Sequence, residues 1–112
     1  MKILVPVLEN KGIKSRIFSH FGRAPYFALF NFNTNELEII ENKGEHFGEC
    51  KKPLEIILKY KPDLIFAKGI GNKAIDLFKS KGIKIVTGDY TTVKEIIQNK
   101  ERLKELREGC KK

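Results

Sequence analysis

The nitrogen and sulfur side chains that suit iron and other borderline metals are few in this sequence: two histidines and two cysteines. His20 stands between Phe18 and Phe21 in the run Ser19-His20-Phe21-Gly22-Arg23-Ala24-Pro25. A neutral imidazole is a good ligand for iron and other borderline metals. The flanking rings can anchor the loop and keep part of a site dry. His46 and Cys50 form a His-x-x-x-Cys pair farther along, and cysteine thiolate is the usual ligand of iron–sulfur clusters. Together with His20 they would supply two nitrogens and a sulfur. The competing reading makes His20 a loop-fixing residue acting through hydrogen bonds and leaves His46 and Cys50 on a solvated loop. Gly22 suggests an unusual backbone angle or a close approach to a ligand, and Arg23 offers a cation to an anionic partner. Cys110, between Gly109 and Lys111, reads as an exposed thiol without a role.

A second pattern is Gly69-Ile70-Gly71-Asn72-Lys73-Ala74, which follows a strand-like run and opens a helix. Free backbone N–H groups at such a place favour an anion. The run reads as G-x-G-x-x-A, and Asp89 follows behind the next strand, which superficially meets the dinucleotide fingerprint. That fingerprint normally opens a larger parallel sheet, and only one βαβ unit remains here. A tight strand–helix turn that needs glycine for packing explains the same residues.

The elements that must position these groups can be read from apolar spacing. Lys2–Leu8 has the Ile, Leu and Val content of a buried strand, and Glu9–Ala24 is a long, glycine-punctuated loop. A loop of that length in a small domain is functional or disordered, and Phe18 and Phe21 argue for order. Tyr26–Phe32 and Leu37–Glu41, joined by Asn33, Thr34 and Asn35, predict an antiparallel hairpin. Asn42–Lys52 is a second loop, the one that carries His46 and Cys50. Helices are expected over Pro53–Tyr60, Asn72–Lys81, Thr92–Gln98 and Lys100–Glu108, the third capped by Thr91 or Thr92. Strands are expected over Asp63–Ala67 and Ile83–Thr87. The order predicts an α/β fold, a five-stranded mixed sheet covered by helices.

Composition narrows the function classes. A chain of 112 residues accommodates one domain, here a core over 1–98 followed by a charged helix and tail over 99–112. The formal net charge of +8 favours anionic partners without choosing among them, and it also serves solubility. Non-enzymatic nucleic-acid binding stays open as an alternative because of this charge, but the lysines are spread along the chain and the aromatic residues fall mainly at core positions, which disfavours it. No signal peptide and no apolar run of the ~20 residues needed for a membrane span is seen, so the cytoplasm is expected, and with it no Cys50–Cys110 disulfide. A two-metal nuclease needs clustered strand carboxylates, but the first strand has none before Glu9, and Glu36, Glu38 and Glu41 read as a solvated face. Ser15, Ser19 and Ser80 have no recognisable base constellation, so no enzyme activity is expected.

The segment Ser19 to Phe27 resembles the hallmark of the dinitrogenase iron–molybdenum cofactor biosynthesis family, which includes NifX, NafY and the C-terminal region of NifB. The opening Met-Lys-Ile-Leu-Val-Pro-Val, the Gly69-Ile70-Gly71 turn and Lys81-Gly82-Ile83-Lys84-Ile85-Val86 fit as well. The resemblance implies a ribonuclease H-like three-layer fold, with strand order 3-2-1-4-5 and strand 2 antiparallel. It implies transient binding of an iron–sulfur or iron–molybdenum cluster, or a precursor, on its way between donor and acceptor proteins. By position His20 matches the motif histidine. Phe21, Gly22, Arg23, Gly69, Gly71 and Asn72 would shape the pocket, with His20, His46 and Cys50 as metal ligands. The alternative is an anion- or nucleotide-binding adaptor that uses the Gly69–Gly71 turn.

Overall fold

Residues Ile3 to Val7 are all buried, which a strand reaches only when both faces of its sheet are covered. This strand, β1 (Lys2–Val7), lies inside a mixed sheet in the computed structural model, which describes residues 1–42 and 57–105. β2 (Tyr26–Asn31) pairs antiparallel with β1 on one side and with β3 (Glu36–Glu41) on its other. Asn35 closes the hairpin with a φ of 60°, a left-handed angle that asparagine tolerates. On the other side of β1, β4 (Leu64–Phe66) and then β5 (Lys84–Thr87) add in parallel.

Between β4 and β5 runs helix α1 (Asn72–Ser80), and after β5 comes helix α2 (Val93–Gln98). The strand alternation splits the core. Leu4, Phe27, Ile65 and Ile85 face one side, where Ile57 and the α1 residues Ile75 and Phe78 cover them. Ile3, Val5, Phe30 and Phe66 face the other side, under Val93 and Ile96 of α2. Gly82, with a φ of 77°, follows α1, a backbone angle that is costly for residues with a Cβ. Thr92 caps α2 in a reciprocal pair: its hydroxyl accepts from the Glu95 amide, and the Glu95 carboxylate accepts from the amides of Thr91 and Thr92.

Two expectations are corrected. The charged helix foreseen over Lys100–Glu108 is, as far as the described residues run, a 3-10 turn (Lys100–Arg102) followed by a short strand, β6 (Lys104–Glu105). The sheet therefore has six strands in the order β3-β2-β1-β4-β5-β6, and β6 is a second antiparallel member, paired with β5. A short charged helix with sparse apolar contacts is marginal in water. The outer edge of β5 instead offers backbone groups that need partners, and Leu103 packs into the α2 side of the core. Of the helix foreseen over Pro53–Tyr60, residues 57–59 are described and helical.

The Thr92–Glu95 cap secures the end of α2 that touches the β1–β2 loop. Thr92→Ala should lower unfolding stability by about 1 kcal/mol, seen as a lower urea midpoint with an unchanged m-value.

Candidate functional site

The loop from Leu8 to Pro25 must carry the chain from the carboxyl end of β1 to the start of β2. It crosses the carboxyl ends of the parallel strands, where α/β proteins usually bind ligands. Its first half folds back on itself. The Leu8 amide donates to the Arg16 carbonyl at 2.8 Å, and the Arg16 amide donates to the Glu9 carboxylate at 3.1 Å. The Arg16 guanidinium adds two bonds to the same carboxylate, at 3.0 and 3.2 Å. These contacts hold the Glu9 carboxyl below its usual range and raise Arg16, the side-chain hydrogen bonds being the main cause of both. Ser15 is fully buried, and its hydroxyl and carbonyl accept from the amides of Lys11 and Val93 at 2.8 and 3.1 Å. The Ile17 amide donates to the Thr91 carbonyl at 2.7 Å, fastening the loop to the segment behind β5.

The second half presents His20. The Phe18 amide donates to the Pro6 carbonyl at 2.9 Å, and the Phe21 amide to the Gly69 carbonyl at 3.1 Å. His20 and Gly69 thus form a parallel bridge, and the histidine motif lies against the glycine turn that follows β4. Phe21 is the anchor: it is 2% exposed, with its ring centroid 5.5 Å from that of Phe27 and 5.8 Å from that of Phe78. Phe21, Gly22 and Arg23 form a 3-10 turn whose Arg23 amide donates to the His20 carbonyl at 3.1 Å.

The backbone is held on both sides of His20, yet the side chain is exposed. Its ring and that of Phe18 stand in a T-shaped pair, 6.1 Å between centroids. Among the described residues the imidazole has no hydrogen-bond partner, so the loop-fixing role is filled by neighbouring amides and by Phe21. Arg23 and Asn72 are exposed as well. Gly71 is the N-cap of α1, with an ordinary φ of −76°, and a Cβ there would meet nothing within 4 Å. Packing therefore does not require glycine at position 71. The α1 N-terminus has no side-chain cap from Gly71 and no acidic residue in its first turn, so this end of the helix presents positive potential.

His46 and Cys50 lie outside the described residues, and so does Cys110. Among the described residues, no group of three or more His, Cys, Asp or Glu side chains could hold a metal ion. A cavity of about 490 Å³ at the amino ends of β4 and β5 is lined by Leu58, Lys61, Asp63, Lys81 and Ile83, and is remote from His20. One residue near the site is not apparent from spacing. Asn42 donates its side-chain amide to the Ala24 carbonyl at 2.8 Å and its backbone amide to the Pro25 carbonyl at 2.9 Å. Only the β2–β3 register, which pairs Tyr26 with Glu41, brings it there. The signal available beforehand is an asparagine just past a hairpin strand.

The mixed sheet and the histidine turn laid on a glycine turn define a small α/β module. The chain belongs to the dinitrogenase iron-molybdenum cofactor family, whose model matches residues 1–102. It is 32% identical over 104 residues to the uncharacterized protein MJ0580 of Methanocaldococcus jannaschii, covering 88% of this chain and 83% of that one. The crystal structure of PH0822 superposes with a TM-score of 0.74 at 31% identity, over 88% of this chain and 86% of the other. The NMR structure of a NifB candidate from Thermotoga shares the fold, with a TM-score of 0.82 at 23% identity over 99% and 97% of the two chains. No helix among the described residues is long and apolar enough to cross a membrane.

The Glu9–Arg16 clamp has a defined pH signature. A carboxyl 13C titration should place the Glu9 midpoint below that of an ordinary glutamate, and Arg16→Met should return it toward the ordinary value. Because the folded value is the lower one, the clamp stabilises fully above the unfolded carboxylate pKa. Its contribution is lost as pH falls through the folded value.

Proposed function

We propose that this protein binds an iron–sulfur or iron–molybdenum-type cluster, or a precursor of one, as cargo. It passes the cargo between donor and acceptor proteins in the cytoplasm and catalyses no reaction. The observation that carries this reading is His20 itself: an exposed imidazole with no hydrogen-bond partner among the described residues, on a turn whose backbone is tied to Gly69. Membership of the cofactor family gives that donor a class of cargo. Phe21 and Gly22 shape the turn, Arg23 offers a cation to an anionic cluster, and Gly69, Gly71 and Asn72 present the positive end of α1. His46 and Cys50 supply the further donors. The sheet is read as ribonuclease H-like, with β6 as an addition.

A second reading rests on the open space at Gly71 and on the α1 N-terminus, whose first turn carries no acidic residue. It makes the Gly69–Gly71 turn the centre of an anion- or nucleotide-binding adaptor, indifferent to His20.

Anaerobic reconstitution with iron and sulfide, followed by metal analysis and a visible spectrum, separates the two. Wild type should retain stoichiometric iron with a charge-transfer band, and His20→Ala should weaken retention at least roughly tenfold. Gly71→Val, which alters the rim and not the donor, should weaken retention far less than His20→Ala does. A wild-type protein that retains no iron sinks the self-assembled cluster. Nucleotide binding lost in Gly71→Val but intact in His20→Ala would favour the adaptor.

A further inference from the structure

The turn that carries His20 has two limbs, and they are held differently. The incoming limb is secured by the strands themselves: Phe18 donates to Pro6 at the end of β1, and Phe21 donates to Gly69 just past β4. The outgoing limb, Arg23 to Pro25, leaves the 3-10 turn before β2 begins. The Ala24 amide closes that turn on the Phe21 carbonyl at 3.5 Å, at the edge of hydrogen-bonding distance. The carbonyls of Ala24 and Pro25 then point to a residue from another element. Both accept from Asn42, at 2.8 Å from its side chain and 2.9 Å from its backbone.

We propose that Asn42 is a positioning residue for the His20 site: it fixes the outgoing limb of the turn, and the ligand affinity of the imidazole depends on that fixation. The second half of this statement rests on the cluster-binding reading above. The physical case is one of pre-organisation. His20 is exposed and gains no orientation from hydrogen bonds of its own ring among the described residues. Its direction comes from the backbone on either side and from the Phe18 ring. A ligand that binds an untethered turn must also order it, and that cost appears as weaker affinity. The side-chain bond is the part that chemistry can remove, because the Asn42 backbone amide remains in any variant. Asn42 is partly buried, so its amide bond to Ala24 is less exposed to competing water than a surface pair. Its place just past β3 also makes it the start of the segment that leads to His46.

The test uses the full chain as wild type, Asn42→Ala, Asn42→Asp and Ile97→Ala. Asn42→Asp keeps the size of the side chain, removes the donor and sets a carboxylate oxygen against the Ala24 carbonyl. Ile97 packs on the α2 side of the core, so Ile97→Ala is a stability control remote from the turn. The first readout is native-state amide exchange without any ligand. Both Asn42 variants should speed exchange at Arg23 and Ala24 at least roughly tenfold, while amides of β1 follow the control. The second is iron retention after iron–sulfide reconstitution, which should weaken roughly tenfold in both Asn42 variants and stay at the wild-type level in Ile97→Ala. Exchange at Arg23 and Ala24 that matches the control overturns the positioning role. Localised loosening of the turn with unchanged iron affinity overturns the dependence of binding on it. If wild type itself retains no iron, the cluster-binding reading and the affinity dependence fall together, and the exchange data alone decide whether Asn42 holds the turn.

Discussion

β1 is bonded to a strand on each side and buried from Ile3 to Val7 on both faces, and the rest of the molecule is arranged to keep it so. Its backbone polar groups, out of reach of water, must be paired, and only a strand on each side can do that continuously. The hairpin of β2 and β3 supplies one side and the β4–α1–β5 unit the other. Helices must then lie on both faces, because an apolar strand cannot be left half uncovered. A further consequence falls on the connection. β2 runs antiparallel beside β1, so the chain leaves the sheet at Val7 and must return to it at Tyr26 from the same end. The loop has nowhere to go except across the carboxyl ends of the parallel strands.

A loop of that length in such a place could unravel, and this one is prevented from doing so bond by bond. Its first half is closed by the Glu9–Arg16 pair and by buried Ser15, its second half by Phe21 inserted among Phe27 and Phe78. The exposed ion pair is the weaker of the two devices, because solvent screens it and long side chains lose freedom to make it. The aromatic anchor is the stronger, since burying a phenylalanine contributes about 1.5–3 kcal/mol. A side effect of this tethering is functional. With the backbone bonded on both sides, the single histidine of the loop is free to face outward, beside the positive end of α1. The same structural economy governs the edge of the sheet, where β6 covers β5 and Leu103 adds apolar contact beneath.

Much of this was legible from residue order, and for identifiable reasons. The apolar runs of β1, β2, β4 and β5 are short and bounded by turn residues, so their periodicity survives inspection. His20 between two phenylalanines, and glycines after a strand, are local patterns that need no partner to be noticed. From Lys100 the charge pattern fits an exposed helix, whereas the strand that forms depends on the open edge of β5, some seventeen residues earlier in the chain. The glycine turn after β4 admits both a packing and a ligand-binding reading from spacing, and only the folded chain shows that a Cβ at Gly71 would meet nothing within 4 Å.

Local chemistry in the sequence therefore determined the α/β class, most element types and the identity of the candidate donor. Tertiary structure alone decided that the His20 turn rests on Gly69, that Asn42 holds its far limb, and that the chain ends its described course as a strand. The physical reason is range. Periodicity and side-chain chemistry act within a few residues, whereas the Phe21–Gly69 and Asn42–Ala24 bonds join segments brought together only by strand pairing in a folded sheet.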